Sequence, residues 1–223
     1  MSRAGRRAAL AGGILTVWVA VGSPLAHLDH VLLTAHMLQH LLLMTVAAPL
    51  LLVAAPLLAA PRVEVLPAPL RWLTHPVACW LAGTLVVVAW HIPALFGLAG
   101  RSSVWHAVQH ADFLVAGLLF WWPVMRPWPW LVAWPRWSMP LYLFLATLPC
   151  DALSAFLAFS GRVVYPQYLE VEAPFGLTPL ADQACAGALM WTWVTFAYLV
   201  PAVVITVRLL SAPAGRGGRA GAG

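Results

Sequence analysis

Charged residues are scarce in this sequence, and lysine is absent altogether. Charged residues make up 9% of the chain and hydrophobic residues 62%, whereas about 25% of the residues in a soluble domain are charged. A water-soluble fold of 223 residues cannot bury so much apolar surface in one core. Lipid is the alternative solvent, and about 20 apolar residues cross its hydrocarbon layer as a helix. The scarcity of charge therefore excludes a soluble protein and predicts an integral membrane protein.

Several motifs of haem and metal enzymes are also missing. The chain has no CxxCH for covalent haem attachment, no His-His doublet and no HExxH. Its three cysteines are too few for a disulfide framework. Cys150 and Cys185 either pair with each other, bind metal transiently or serve as small buried apolar residues. These absences exclude covalently attached haem and count against a membrane di-iron enzyme and a zinc protease.

Six apolar stretches predict an all-α fold, a polytopic membrane helix bundle that forms a single transmembrane domain over residues 1–211. The stretches cover approximately residues 8–21, 31–60, 76–98, 104–125, 139–159 and 181–210. Pro49 and Pro56 are expected to kink or end the second helix, because proline removes a hydrogen bond and clashes with the preceding turn. The first stretch, which follows three arginines, also fits a secretory signal peptide, whose cleavage would leave five helices in unchanged orientation.

The arginines predict the orientation of these helices. With a cytoplasmic N-terminus, the outer loops contain only Arg101 and Arg162, and the other ten of the 12 arginines lie on the inner side. Because cytoplasmic loops carry an excess of basic residues, both termini are predicted to be cytoplasmic. The excess of arginine on the cytoplasmic side therefore explains the formal charge of +5, and no nucleic acid partner is expected. Residues 212–223 form an expected disordered cytoplasmic tail.

Histidines are concentrated on the predicted outer side of the bundle. His75 is the exception, and the other seven of the eight lie in the first outer loop or in outer halves of helices two to four: His27, His30, His36, His40, His91, His106 and His110. An ionisable side chain within a membrane span is costly and marks a candidate functional site. The distribution therefore predicts a site near the outer surface.

Two helices carry the same motif, H-x-x-Q-H. It occurs at His36 to His40 and again at His106 to His110. Residues four apart share one helix face about 6 Å apart, so each pair offers two imidazoles to one ion. Met44 extends the first stripe with a thioether, although core packing explains this residue better than ligation does. Imidazole with thioether suits copper, while imidazole alone also suits zinc, iron or nickel.

Three aspartates in the same halves of the helices are candidate auxiliary residues. Asp112 lies about 200° around its helix from His110 by the 3.6-residue period, so it is expected to serve a neighbouring helix. Asp151 and Asp182 are candidate hydrogen-bond acceptors that orient imidazoles. For Asp182 a role at the N-terminus of its helix is the alternative.

Taken in order, the motifs resemble those of the multi-helix CtaG-type cytochrome c oxidase assembly factors. The resemblance extends from His36 to Trp191, and helix one and the tail contribute nothing to it. The matching stretches are HMLQHLLLMTVAAPLLLVAAP, WHIPALF, HAVQHADFLVAGLLFWWPV, YLFLATLPCDALSAFLAFS, YPQY and GLTPLADQACAGALMW. Cys150 stands where a variable apolar residue is expected, so it is not taken as a family ligand.

The resemblance implies a multi-pass protein of the bacterial plasma membrane that acts as a chaperone, not as an enzyme. It implies maturation of a haem-copper oxidase, with a cytochrome c oxidase subunit as partner and copper as the metal supplied. The residues carried over by position are His36, His40, His91, His106, His110, Asp151 and Asp182.

Two other functions stay open at this point. A noncovalent haem held by His36 or His40 facing His91 or His110 would make an electron-transfer protein. A membrane di-iron hydroxylase also uses HxxxH pairs, but normally adds the doublets missing here. A zinc protease is a weaker alternative than the hydroxylase, because Met37 and Ala107 occupy the position of its catalytic glutamate.

Overall fold

A computed structural model describes residues 1–57, 75–126, 134–171 and 174–211. All the regular elements in these ranges are helical, as the hydrophobic stretches predict, and nine of them are α-helices. They are α1 (Arg3–Gly22), α2 (Leu25–Leu28), α3 (Leu33–Leu42), α4 (Ala48–Ala54), α5 (Pro76–Trp90), α6 (Pro93–Arg101), α7 (Ser103–Met125), α8 (Met139–Phe159) and α9 (Pro179–Leu210). The expected disorder of the tail concerns residues outside the described ranges.

Four helical segments in these ranges are long and apolar enough to cross a membrane: Arg3–Leu28, Leu33–Leu57, Arg136–Phe159 and Pro179–Leu210. A fifth is obtained if the bent pair α5 and α6 counts as one span. α7 is not among these candidates. Its 23 residues are long enough for a span, but the second H-x-x-Q-H motif and Asp112 make its first half polar. The chain is therefore a multi-pass helical membrane protein.

The prediction of one continuous helix over residues 76–98 is wrong. The helix stops at Trp90, and α6 leaves it at a bend of 73°. Pro93 is the physical reason, because the residue before a proline is pushed out of the α region. Ile92 accordingly adopts φ −67° and ψ 124°, and His91 forms the C-cap of α5.

A wide π-helical turn, Leu43–Ala47, joins α3 to α4 within the second predicted helix. Pro49 lacks the N–H that an α-helix would donate to Thr45, and its ring would clash there. Two tryptophan side chains form hydrogen bonds to the turn. Trp121 Nε1 donates to Met44 O at 3.0 Å, and Trp193 Nε1 donates to Thr45 Oγ1 at 2.8 Å. Pro56 falls in a 3₁₀ turn, Ala55–Leu57. Both prolines thus perturb this span, as predicted.

Small residues let the helices approach closely, which is typical of membrane bundles. A Cβ added at Gly117 on α7 would lie 2.8 Å from Met44 O in the π turn. A Cβ at Gly187 on α9 would lie 2.6 Å from Ala158 N on α8. These contacts hold α7 against the span formed by α3 and α4, and α9 against α8. Together they fix the frame in which α3 and α7 present their histidines.

Candidate metal centre

α3 and α7 bring four imidazoles into one cluster, which we call the histidine cluster. The ring centroids of His36 and His40 lie 4.3 Å apart, and those of His106 and His110 lie 4.4 Å apart. Across the two helices, His36 stacks on His106 at 5.6 Å and His40 meets His110 edge-on at 5.7 Å. The two H-x-x-Q-H motifs therefore face each other side by side.

Asp29 joins this cluster, although no motif in the sequence marks it as a site residue. It precedes α3, is 1% exposed, and places Oδ2 3.2 Å from His106 Nε2 and Oδ1 3.5 Å from His30 Nε2. Tyr168 fixes this loop by donating its hydroxyl proton to Asp29 O at 2.8 Å. Burial raises the pKa of the Asp29 carboxyl, but contact with His106 and the nearby His30 outweighs it and lowers the pKa below its usual value. The ionised form is therefore favoured.

Asp29, His106 and His110 offer ligand atoms that all lie within 4.8 Å of one another. We call this triad the Asp29 site. His110 Nε2 is 3.3 Å from Gln39 Oε1, a carbonyl oxygen that only accepts. His110 is thereby assigned a proton on Nε2 and a lone pair on Nδ1. The glutamine of one motif thus orients a histidine of the other, which is a common arrangement around metal ligands.

The Asp29 site opens to its surroundings on two sides. A cavity of about 520 Å³ is lined by Asp29, His30, Arg101, His106 and His110. A second cavity, of about 320 Å³, reaches Asp29, His36 and His106 past Phe96 and Gln167. Phe96 on α6 also packs its ring against His36, with centroids 4.7 Å apart. An ion therefore has access to the carboxylate and imidazoles without unfolding of the bundle.

Asp182 supports the cluster from a distance by capping α3. Its carboxylate accepts hydrogen bonds from Leu33 N, Thr34 N and Thr34 Oγ1, the last at 2.6 Å. An acceptor at a helix N-terminus satisfies backbone donors that have no partner within the helix. Asp182 also lies in the first turn of its own helix, α9. These hydrogen bonds are therefore made to the helix that carries His36 and His40, and not to an imidazole.

The remaining predicted site residues lie outside the histidine cluster. His91 Nδ1 is 2.7 Å from Val87 O, and Met44 lies in the π turn. Asp112 accepts a hydrogen bond from Trp90 Nε1 at 3.1 Å, on the neighbouring helix α5. Asp151 is half-buried on α8 and makes no ion pair with a histidine in the described ranges. His75 caps the start of α5 through Val77 N, away from the cluster.

Fold and site together define a polytopic helical membrane protein with clustered metal-ligand side chains near one end of its bundle. The family model described as cytochrome c oxidase caa3 assembly factor matches residues 2–212. The chain belongs to this family, which confirms the resemblance. Helix one lies within the match, so the expectation that it contributes nothing is corrected. No curated protein and no solved structure matches the chain.

Proposed function

We propose that this cytochrome c oxidase assembly factor binds copper at the Asp29 site and delivers it to an oxidase subunit. The observation that supports this proposal is that one ionised carboxylate and two imidazoles place their ligand atoms within 4.8 Å of one another. This donor set suits a divalent transition metal, and copper(II) binds most tightly in the first-row series. Two sides of the site are accessible, which fits a carrier that must release its cargo. The role is that of a chaperone, without a reaction catalysed.

The close packing of the imidazoles that would have to hold a haem favours a bare ion. The cavity between His40 and His91 holds about 30 Å³, whereas cofactor sites have about 300–1,000 Å³. Between neighbouring imidazoles of the histidine cluster, ring centroids are at most 5.7 Å apart, which leaves no gap for a macrocycle between those rings. A di-iron centre is also less well supported, since Asp29 is the one carboxylate in contact with a histidine in the described ranges.

The copper proposal is tested by producing this chain and its variants in a bacterial host that contains the client oxidase and from which the host's own assembly factor of this family has been deleted. Changing His106 and His110 together to alanine is expected to leave the oxidase with little copper, because two of three ligands are gone. The matched control is His75→Ala, which removes a histidine far from the cluster. Copper per oxidase is measured by elemental analysis of the purified enzyme. Full copper loading with the double variant would contradict the proposal.

We further propose that the chain crosses the bacterial plasma membrane six times, with both termini cytoplasmic and the histidine cluster towards the periplasm. The six spans are α1, α3 with α4, α5 with α6, α7, α8 and α9. Ten of 12 arginines then lie on the cytoplasmic side, in agreement with the positive-inside rule. α1 counts as a resident span because it packs along α4, with Gly13 against Leu51.

The orientation is tested with a membrane-impermeant maleimide in a Cys185→Ser background, since Cys185 is exposed. Arg101→Cys, at the end of α6, is expected to be labelled in intact spheroplasts. Arg216→Cys, in the C-terminal tail, is expected to be labelled only after the membrane is permeabilised. The reverse pattern, or labelling of both positions in intact spheroplasts, would overturn the proposed orientation.

A further inference from the structure

A third cavity, of about 310 Å³, lies where α5 bends into α6. It shares no lining residue with the two cavities that reach the Asp29 site. Its volume is at the lower end of the range of ligand sites, about 300–1,000 Å³. The walls come from the break between α5 and α6, from the end of α8 and from the loop that follows, and include His91, Pro93, Leu153, Phe156, Arg162 and Val164. We call this open cavity the α8 cavity.

Arg162 is the one permanently charged residue in the wall of the α8 cavity. No aspartate or glutamate of the described ranges lines the cavity, and Arg162 makes no ion pair within those ranges. In the proposed orientation, Arg162 is also one of only two arginines on the outer side, where the positive-inside rule does not account for it. Guanidinium groups bind phosphate through two parallel N–H groups. The charge of the cavity is therefore suited to a phosphate anion.

The rest of the wall is mainly apolar and meets the exposed face of α8. Phe156 lines the cavity and is 52% exposed, and Phe159, one turn further along α8, is 78% exposed. Both belong to a segment that is long and apolar enough to cross a membrane, so acyl chains are the expected neighbours of these rings. A ligand that meets Arg162 and these rings together is an anionic amphiphile. An ammonium headgroup fits less well, because no carboxylate of the described ranges lines the cavity.

Buried hydrogen bonds hold the loop that carries Arg162. Gln183 on α9 is 1% exposed, and its Nε2 donates to Arg162 O at 3.1 Å while its Oε1 accepts from Val164 N at 2.7 Å. Tyr165 donates its hydroxyl proton to His91 O at 3.1 Å and so joins the loop to the end of α5. The walls of the cavity are thus fixed by the fold itself. A site formed in advance loses less conformational freedom when a ligand binds.

We propose that the α8 cavity binds one anionic phospholipid, with its phosphate at Arg162 and an acyl chain along Phe156 and Phe159. Basic pockets between transmembrane helices bind anionic headgroups in the same way. The bilayer itself supplies such lipids, of which phosphatidylglycerol is one. Tyr165 stacks on Phe96 at a centroid distance of 4.1 Å, so the lipid lies at the same end of the bundle as the histidine cluster. The proposal goes beyond the copper function and does not rest on it.

The test is native mass spectrometry of the detergent-purified full chain, titrated with phosphatidylglycerol or with phosphatidylethanolamine of the same acyl chains. The wild type is expected to bind one phosphatidylglycerol at least about tenfold more tightly than phosphatidylethanolamine. Arg162→Gln is expected to weaken phosphatidylglycerol binding by at least about tenfold, because hydrogen bonds between charged groups are lost. Arg162 is exposed, so this variant is expected to fold normally. Leu153→Trp adds bulk to the cavity and is expected to weaken binding similarly with Arg162 intact.

Two controls make the result specific. Arg101→Gln removes the other outer arginine, which does not line the α8 cavity, and is expected to leave phosphatidylglycerol affinity unchanged. Glycerol phosphate in large excess is expected not to displace the lipid, because it has no acyl chains. Displacement would show that a soluble phosphate is the ligand and would contradict the proposal.

Three other results would overturn the lipid site. They are equal affinities of the wild type for the two lipids, equal losses in Arg101→Gln and Arg162→Gln, and unchanged binding by a folded Leu153→Trp protein. The first two would show that the detergent-exposed surface or its general charge, rather than Arg162, determines lipid binding. The Asp29 site is tested separately by Cu(II) binding, so failure of the lipid site and failure of the copper function remain distinguishable.

Discussion

Replacing Asp29 by asparagine is expected to weaken Cu(II) binding by more than about 100-fold, since loss of an outer-shell partner alone costs about 10–100-fold in metal affinity. Asp29 is the charged member of the triad, and its neighbours there are the imidazoles of His106 and His110. Asparagine keeps the size of the side chain but removes the negative charge that offsets the charge of the cation. The measurement is competition of the purified protein against a chelator of known Cu(II) affinity.

Asp112→Asn provides the matched control for this result. It makes the same chemical change on α7, two residues from His110, but its carboxylate bonds to Trp90 Nε1 at 3.1 Å. Cu(II) affinity is expected to stay within about threefold of the wild type, because changes away from a site have small effects. Equal losses in the two variants would show that general charge, rather than ligation by Asp29, determines the affinity.

Replacing Asp182 by alanine is expected to lower the free energy of unfolding by about 2–4 kcal/mol. Hydrogen bonds to charged groups contribute about 1.5–3 kcal/mol each, and buried donors without partners add a penalty. Leu33 N and Thr34 N would lose their acceptor at the start of α3. The measurement is denaturation of the detergent-solubilised protein, with amide hydrogen exchange at both residues as a local readout.

Two further variants make the Asp182 result specific. Asp182→Asn retains one acceptor oxygen, so its free energy of unfolding is expected to lie between those of the wild type and Asp182→Ala. Asp151→Ala removes a half-buried carboxylate on α8 and is expected to cost less than about 1 kcal/mol. If Asp182→Ala were as stable as the wild type, with unchanged exchange at Thr34, the capping role would be wrong.

Periodicity explains which parts of this fold the sequence could predict. Apolar stretches of sufficient length predicted the helices, and α8 was predicted with its observed ends, Met139 and Phe159. The i,i+4 spacing placed His36 with His40 and His106 with His110, which needs only helix geometry. Whether the two pairs meet depends on how α3 and α7 pack, and a pattern within one helix does not contain that information.

The features that escaped prediction depend on single residues or on distant pairs. Asp29 follows a helix of four residues, too short to show any periodicity. Asp182 bonds to residues 148 and 149 positions earlier in the chain, so no local motif marks it as a cap of α3. The break after Trp90 has a local cause in Pro93, but the high hydropathy of the stretch masked it. In each case the hydrophobic pattern was correct and other residues determined the details.

The π turn at Leu43–Ala47 has a consequence for comparing this chain with other family members. A π turn accommodates one residue more than an α-helical turn, so the segments before and after it keep their mutual orientation when that residue is lost. A relative with a one-residue gap in this turn can therefore retain the histidine face of α3. A gap elsewhere in the helix would rotate that face by about 100°. Alignments of relatives should place length differences within these five residues.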